Sequence, residues 1–149
     1  MYHDIMSNLE KRLSPDEFNS IKNRRIHLGI FTEPYLTYML EGKKTIESRF
    51  SKHKIAPYKQ ITKDDIVIVK KSGGNVIAYF TMKEVLCFDL SITPINEIKS
   101  KYGSALCVDQ QFWESKKDSC YATLLTIDKI RELKPFSIKK KGMQTWIVL

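Results

Sequence analysis

Runs of apolar residues along the chain predict a fold built mainly of strands. Ile66 to Lys70 is a β segment with four consecutive β-branched residues, and Ile26 to Phe31 is a mostly apolar run that suits a central strand. Longer β-rich stretches run from Val76 to Leu90 and from Tyr121 to Leu133, and Trp146 to Leu149 closes the chain as a last strand. A strand over 45–50, described below, makes a total of five to six strands.

Capping and breaking residues predict helices before and between these strands. Ser14 to Glu17 has a Ser cap, Pro at the first helical position and Glu three residues after the cap, so the N-terminal segment is predicted to be helical. Pro34 to Glu41 is predicted as a short helix. Thr93 to Tyr102 is predicted as another, capped by its Thr and ended by Gly103. Asp109 to Lys116 suggests one or two further turns.

Turn residues complete the predicted layout. Ser72 to Asn75 contains two glycines and is expected to connect a hairpin, whereas Pro135 is expected to interrupt the strand that starts at Tyr121. The elements together predict an α+β fold, a small β-barrel of five to six strands with two or three inserted helices. Residues 1–24 are expected to form an N-terminal helical extension, and residues 25–149 the domain itself.

One short segment gathers several charged side chains. Gly42 follows the helix of residues 34–41, where a left-handed residue commonly ends a helix. The next residues suit a strand, in which alternate side chains share a face, so Glu47 and Arg49 are expected to point the same way. Lys44 lies at the turn and can lean toward Glu47. The segment therefore predicts a carboxylate, a guanidinium and an ammonium around one spot.

The same segment carries a family resemblance. Gly42, Lys44, Glu47 and Arg49 match the pattern Gly-x-Lys-x-x-Glu-x-Arg, and the chain resembles the ASCH domain, a β-barrel related to the PUA domains that bind RNA. Further segments look like pieces of that family in the same order: His27 to Phe31, Glu33 to Tyr35, Ala56 to Tyr58, Lys71 to Gly74 and Trp146 to Leu149. The resemblance spans residues 25–149 and implies a PUA-like barrel.

The resemblance implies that RNA, or a nucleotide-like ligand, binds in a cleft lined by the motif. In that cleft Lys44 and Arg49 would hold a phosphate or a base edge, and Glu47 would accept from a base amino group, since Arg and Glu both read base edges. Backbone N–H groups of the hairpin turn could form an anion nest, and Tyr58 could stack on a base. The predicted ligand-binding residues are Lys44, Glu47, Arg49, Tyr58, Lys70, Ser72 and Gly73.

Two alternatives remain open. The chain could be a metal-independent hydrolase, because one branch of the family resembles amidohydrolases that deacetylate 4-acetylcytidine and other members are ribonucleases; Lys44 and Glu47 would then be catalytic. That amidohydrolase branch has a Thr nucleophile where this chain has Glu47, and a later carboxylate for which Glu97 and Glu114 are candidates. The second alternative is a protein-interaction module in which Glu47 forms a structural ion pair.

Charge and cysteine content narrow the partners. A net charge of +8 and an isoelectric point near 9.3 favour an anionic partner such as RNA, with DNA not excluded. Three cysteines without Cys-x-x-Cys spacing indicate reduced thiols and a cytoplasmic protein, and scattered histidines indicate no metal site. No cofactor is expected. The sequence shows no membrane span or signal-peptide core, and it leaves the oligomeric state open.

Overall fold

The computed structural model describes residues 1–149 as six strands and five helices. The helices are α1 (Tyr2–Arg12), α2 (Pro15–Ile21), α3 (Tyr35–Leu40), α4 (Ile95–Leu106) and α5 (Gln110–Lys116). The strands are β1 (Ile26–Phe31), β2 (Ile46–Ser51), β3 (Ile66–Lys71), β4 (Val76–Asp89), β5 (Tyr121–Phe136) and β6 (Trp146–Val148). The α+β class is confirmed, with three helices inserted between strands. No helix combines the length and the apolar composition needed to cross a membrane.

All six strands belong to one mixed sheet, in the order β2-β5-β4-β3-β1-β6. Only β1 and β3 pair in parallel, and every other neighbouring pair is antiparallel. The sheet is strongly curled: Arg49 of β2, at one end of this order, donates a hydrogen bond to the carbonyl of Ile30 in β1, close to the other end. The result is a half-barrel, as the predicted barrel class requires.

The central strand β3 explains why its sequence is continuously apolar. Ile66 and Ile68 belong to one hydrophobic core, and Val67 and Val69 belong to a second core on the opposite face of the sheet. All four are fully buried. Strands buried on both faces lose the alternation of polar and apolar residues that half-exposed strands show.

The N-terminal segment is part of the first core. Ile5 and Leu9 of α1 are fully buried in it, together with Ile21 of α2. The predicted cap of α2 is confirmed, because the Ser14 hydroxyl accepts a hydrogen bond of 3.2 Å from the N–H of Glu17. Although the arm precedes the predicted domain, it covers one face of the same sheet.

The predicted boundaries of α4 are wrong at both ends. The N-cap is Pro94, not Thr93, whose N–H donates to the carbonyl of Asp89. At the other end the helix continues through Gly103 and stops at Cys107, which adopts a left-handed conformation with φ of 55°. Leu106 is buried in a third hydrophobic core that also contains Trp113. This burial explains the extra turn, since packing overrides the weak helix propensity of glycine.

The expected break at Pro135 is also wrong, because β5 continues to Phe136. The pairing with β4 changes register here: Ala78 lies opposite Glu132, and Val76 lies opposite Phe136. The irregularity leaves Pro135 out of the regular ladder, where its missing N–H is not needed. Proline within a sheet is found at such bulges.

A buried polar network lies beneath the junction of β1 and β6. The Trp146 indole N–H donates to Nδ1 of His27 at 3.1 Å, so Nε2 of that ring carries the proton that faces Asp65 at 2.9 Å. His27 is fully buried, and burial lowers its pKa although Asp65 opposes the shift. Protonation would also bring a second N–H of His27 against the Trp146 donor. The neutral imidazole is therefore the form that fits the fold.

The network predicts a loss of stability in acid. Because the pKa of His27 is lowered in the folded protein, the unfolded chain binds the extra proton more readily below about pH 6.5. The free energy of unfolding should be maximal above that pH and fall by up to about 1.4 kcal/mol per pH unit as the pH drops further. Urea titrations between pH 7.5 and 5 measure the free energy of unfolding.

Two variants assign the pH dependence to His27. His27→Gln should be less stable and its stability should depend less on pH, whereas His53→Gln, in an exposed loop, should keep the wild-type dependence. Equal pH dependence in all three proteins would contradict the role of His27.

Candidate functional site

A cavity of about 480 Å³ opens where the end of β1, the edge strand β2 and helix α5 meet. Its walls are residues 30–32, Tyr35 at the start of α3, residues 47–50 of β2, and Thr145 just before β6, together with Asp109, Gln111, Phe112, Ser115 and Lys116 from the α5 region. The volume lies within the range of small-molecule sites, roughly 300 to 1,000 Å³. We refer to this space as the β2–α5 cavity.

Local backbone geometry brings the motif to this cavity. Gly42 has a φ of +78°, as its place after α3 predicted, and the N–H groups of Lys43 and Lys44 then both donate to the carbonyl of Tyr38. Strand β2 follows and pairs with β5 alone. Since β2 is an edge strand, the cavity runs along its free side, and consecutive residues from Glu47 to Phe50 contribute to the wall.

Glu47 is buried in the wall without a cationic partner. Only 7% of its surface is exposed, and Oε1 accepts a hydrogen bond of 2.7 Å from the N–H of the next residue, Ser48. It forms no ion pair with Lys44 or Arg49. The ion pair of the structural alternative is therefore absent, because both cations donate to main-chain carbonyls instead.

Lys44 is directed at the end of a helix. Its ammonium donates to the carbonyl of Leu106, the last residue of α4, and lies 5.5 Å from the centre of the Tyr35 ring. A helix C-terminus carries partial negative charge and favours a cation. Burial lowers the pKa of Lys44, and the nearby charge of Glu47 partly opposes this. Lys44 therefore borders the site but does not line the β2–α5 cavity.

Arg49 lines the cavity and connects distant parts of the sheet. Its guanidinium donates to the carbonyl of Ile30 at 2.8 Å and to that of Thr145 at 3.3 Å. It also lies over the rings of Phe31 and Trp146, at 4.8 and 5.1 Å from their centres. Burial lowers its pKa below the usual arginine value, with Glu47 opposing, but arginine remains protonated in proteins.

Aromatic rings and α5 form the opposite wall. Phe112 packs edge-on against Tyr35 and Phe50, with ring centres 5.9 Å apart in both pairs. Asp109 caps α5 by accepting a hydrogen bond of 2.8 Å from the N–H of Phe112. Burial raises the pKa of Tyr35, and the charges of Asp109 and Glu47 add to the shift, so its hydroxyl stays protonated at neutral pH.

Tyr58 lies outside the β2–α5 cavity. Only 6% of its surface is exposed, and its ring packs on Tyr121 with centres 4.9 Å apart. The ammonium of Lys59 lies 5.5 Å from the centre of the Tyr58 ring. The predicted role of Tyr58 in stacking on a base remains a prediction, and this packing gives it no free ring face in the cavity.

The hairpin turn between β3 and β4 also lies outside the cavity walls. The N–H of Ser72 donates to the carbonyl of Phe31 at 2.9 Å, and that of Gly74 donates to Lys71. Gly73 has a φ of +69°, which fits the predicted turn, and the Lys70 ammonium donates to the carbonyl of Lys71. Two of the N–H groups expected to form an anion nest are thus engaged. The ligand-binding roles of Lys70, Ser72 and Gly73 stay predictions.

Sequence reasoning predicted α5 but not its place in the site. Of the two candidate late carboxylates, neither Glu97 nor Glu114 lines the cavity, whereas Asp109 does. The cavity-facing residues 111, 112, 115 and 116 have the spacing of one helical face. Nothing in the local sequence says that this face meets β2.

Comparison with known proteins identifies the family. The family model for the ASCH domain matches residues 30–145, and the chain belongs to this family, within the PUA-like superfamily. No curated protein matches the sequence. The solved structure of ASCH from Zymomonas mobilis is similar with a TM-score of 0.67 and 14% identity, over 85% of this chain and 89% of that one. A single-residue mutant of the same protein is similar with a TM-score of 0.67 and 15% identity, over 85% of this chain and 91% of that one. At these identities the likeness shows the fold alone.

The contacts of Arg49 predict that it is a major source of stability. Arg49→Ala should lower the free energy of unfolding by about 2 to 4 kcal/mol, because two charge-assisted hydrogen bonds and two cation–ring contacts are lost. Urea unfolding followed by circular dichroism measures the change. Lys52→Ala, an exposed cation just after β2, serves as the control and should change stability by less than about 0.5 kcal/mol. If Arg49→Ala unfolds at the same urea concentration as the control, the contacts of Arg49 do not contribute to stability.

Proposed function

We propose that this chain binds RNA, or a nucleotide-sized part of it, in the β2–α5 cavity. The observation that carries the proposal is the composition of the cavity wall, which combines a buried carboxylate, Glu47, with four aromatic residues: Phe31, Tyr35, Phe50 and Phe112. Stacking of a base on an aromatic ring is worth about 1 to 3 kcal/mol and depends little on sequence. A volume of about 480 Å³ is sufficient for one nucleotide.

The surrounding charge supports an RNA ligand. Lys116 is part of the cavity wall, and Lys139 to Lys141 lie in the segment that leads to Thr145, another wall residue. These cations, and the basic loop from Lys52 to Lys59, offer a route for the phosphate backbone outside the cavity. A chain with a net charge of +8 should bind RNA more weakly as salt rises, because bound phosphates release counterions.

The motif residues divide between structure and ligand. Lys44 and Arg49 donate to main-chain carbonyls and are needed to build the walls, whereas Glu47 keeps one carboxylate oxygen without a protein donor. Two of the three charged motif residues thus have a structural role, although not through the ion pair with Glu47 that the structural alternative required. This division leaves Glu47 as the motif residue best suited to meet a ligand.

The hydrolase alternative receives less support. A catalytic Lys44 would need a free ammonium, but that group is buried against the carbonyl of Leu106. Thr45, which alternation places on the same strand face as Glu47, does not line the cavity, and the hydroxyl that does line it beside Glu47 belongs to Ser48. Binding of RNA without catalysis is the simpler function for this arrangement of side chains.

The proposal predicts salt-sensitive RNA binding that depends on the cavity. Fluorescence anisotropy with a short single-stranded RNA at 50 and 200 mM salt should show weaker binding at the higher salt. Glu47→Gln should bind about tenfold more weakly, which corresponds to one hydrogen bond to a charged group. Glu114→Gln, the same change on α5 but outside the cavity, is the matched control and should bind like the wild type.

The RNA is recovered after each titration. Intact RNA together with the Glu47-dependent affinity supports a binding protein. Cleavage or conversion that Glu47→Gln abolishes would replace the proposal with the hydrolase alternative. Absence of binding by the wild type, or equal binding by Glu47→Gln, would show that the cavity is not an RNA site.

A further inference from the structure

The cations of the motif are not available to a ligand inside the cavity. The Lys44 ammonium donates to Leu106, and the terminal nitrogens of Arg49 donate to Ile30 and Thr145. The third guanidinium nitrogen, Nε, is buried without a partner, in a group that two carbonyls and two rings hold in place. A phosphate deep in the cavity would therefore have to compete with main-chain carbonyls for the terminal N–H groups of Arg49.

The cavity also offers two carboxylate oxygens that are free to accept, alongside the Lys116 ammonium and the Gln111 amide. Oε2 of Glu47 and Oδ2 of Asp109 receive no hydrogen bond from the protein, because the bonds from Ser48 and Phe112 go to the other oxygen of each carboxylate. Glu47 is buried, and Asp109 is exposed at the mouth. Two carboxylates repel an anion and attract N–H donors.

A third group supports a ligand at this position. Ser48 lines the cavity with only 8% of its surface exposed, and its hydroxyl oxygen is buried without any hydrogen-bond partner. Buried polar atoms are nearly always paired in proteins, and an unpaired one costs about 1 to 3 kcal/mol. A ligand whose polar edge reaches Ser48 would satisfy this hydroxyl, which can donate or accept.

We propose that the β2–α5 cavity selects nucleobases that carry an exocyclic amino group, with Glu47 as the inner acceptor and Asp109 as a second acceptor at the mouth. The inference rests on the proposed function and specifies the ligand. Adenine, cytosine and guanine present amino donors on their edges, whereas uracil and hypoxanthine lack an exocyclic amino group. The phosphate stays outside the cavity, on the side of Lys116.

The test uses pairs of nucleotides that differ mainly in this group. Isothermal titration calorimetry compares cytidine with uridine 5′-monophosphate, and guanosine with inosine 5′-monophosphate. In both pairs the amino-bearing nucleotide should bind at least about tenfold more tightly, because a hydrogen bond to a buried carboxylate contributes about 1.5 to 3 kcal/mol. The shared phosphate cancels in each comparison.

Variants assign the selectivity to residues. Glu47→Gln should reduce the preference to about threefold or less, because the amide supplies an uncharged acceptor and a donor that suits the uracil carbonyl. Asp109→Asn keeps a good helix cap and should reduce the preference for the amino-bearing nucleotide by less than Glu47→Gln does. Glu114→Gln should leave it unchanged. Circular dichroism confirms that each variant is folded, and Asp109→Asn tests the assignment even where Glu47→Gln is unstable.

The outcomes separate this inference from the proposed function. Equal binding within both pairs, with an affinity that still falls in Glu47→Gln, would overturn the selectivity and leave a nucleotide-binding cavity. An unchanged preference in both Glu47→Gln and Asp109→Asn would overturn the roles of these carboxylates. Absence of nucleotide binding by the wild type, together with RNA binding that is insensitive to Glu47→Gln, would contradict both the selectivity and the proposed function of the cavity.

Discussion

The rest of the site depends on the guanidinium of Arg49. Strand β2 pairs with β5 alone, so nothing in the hydrogen-bonded order of the sheet brings it near β1. Arg49 makes that connection by donating to the carbonyls of Ile30 and Thr145 while its guanidinium contacts the rings of Phe31 and Trp146. A planar cation with several donors suits this task better than an ammonium. The curl that it stabilises creates the space that α5 then covers.

The charged motif is organised by burial more than by mutual attraction. Its two cations donate to main-chain carbonyls at the end of α4 and at the β1–β6 junction, and its carboxylate accepts from a neighbouring backbone N–H. The charges still influence one another, since Glu47 raises the pKa of both Lys44 and Arg49 against the effect of burial. The cations are committed to structure, and a carboxylate oxygen is left to face the cavity. That asymmetry is the basis for the proposed preference for ligands that carry hydrogen-bond donors.

Local patterns were enough to predict most of the fold. The apolar runs marked β1 and β3, Ser14 marked the start of α2, and Gly42 marked the turn that leads into β2. The errors came where packing overrides local preference: the last turn of α4 runs past Gly103 because Leu106 is buried, and β5 passes Pro135 at a register shift.

The site was less predictable because its partners are distant in sequence. The motif led to Glu47 and Arg49, and both line the cavity. The carbonyl that binds Lys44 is 62 residues away, and one that binds Arg49 is 96 residues away, so no local spacing reveals them. Asp109 was missed for the same reason, whereas Ser48 was missed because alternation in a strand places it on the face opposite Glu47 and Arg49. Every residue has a main-chain carbonyl, so the sequence does not mark which one accepts a hydrogen bond. An ion pair, by contrast, is easily inferred from two opposite charges.

The central claim is that the β2–α5 cavity is the ligand site, and backbone NMR tests it most directly. Cytidine 5′-monophosphate is titrated into the ¹⁵N-labelled chain, and the amide shifts are followed residue by residue. The account predicts that the largest changes fall in residues 30–32, 47–50 and 109–116, which surround the cavity. Largest changes at the turn of residues 70–73, or at the basic cleft formed by Lys11, Arg12, Arg131 and Lys134, with an unchanged cavity, would contradict it.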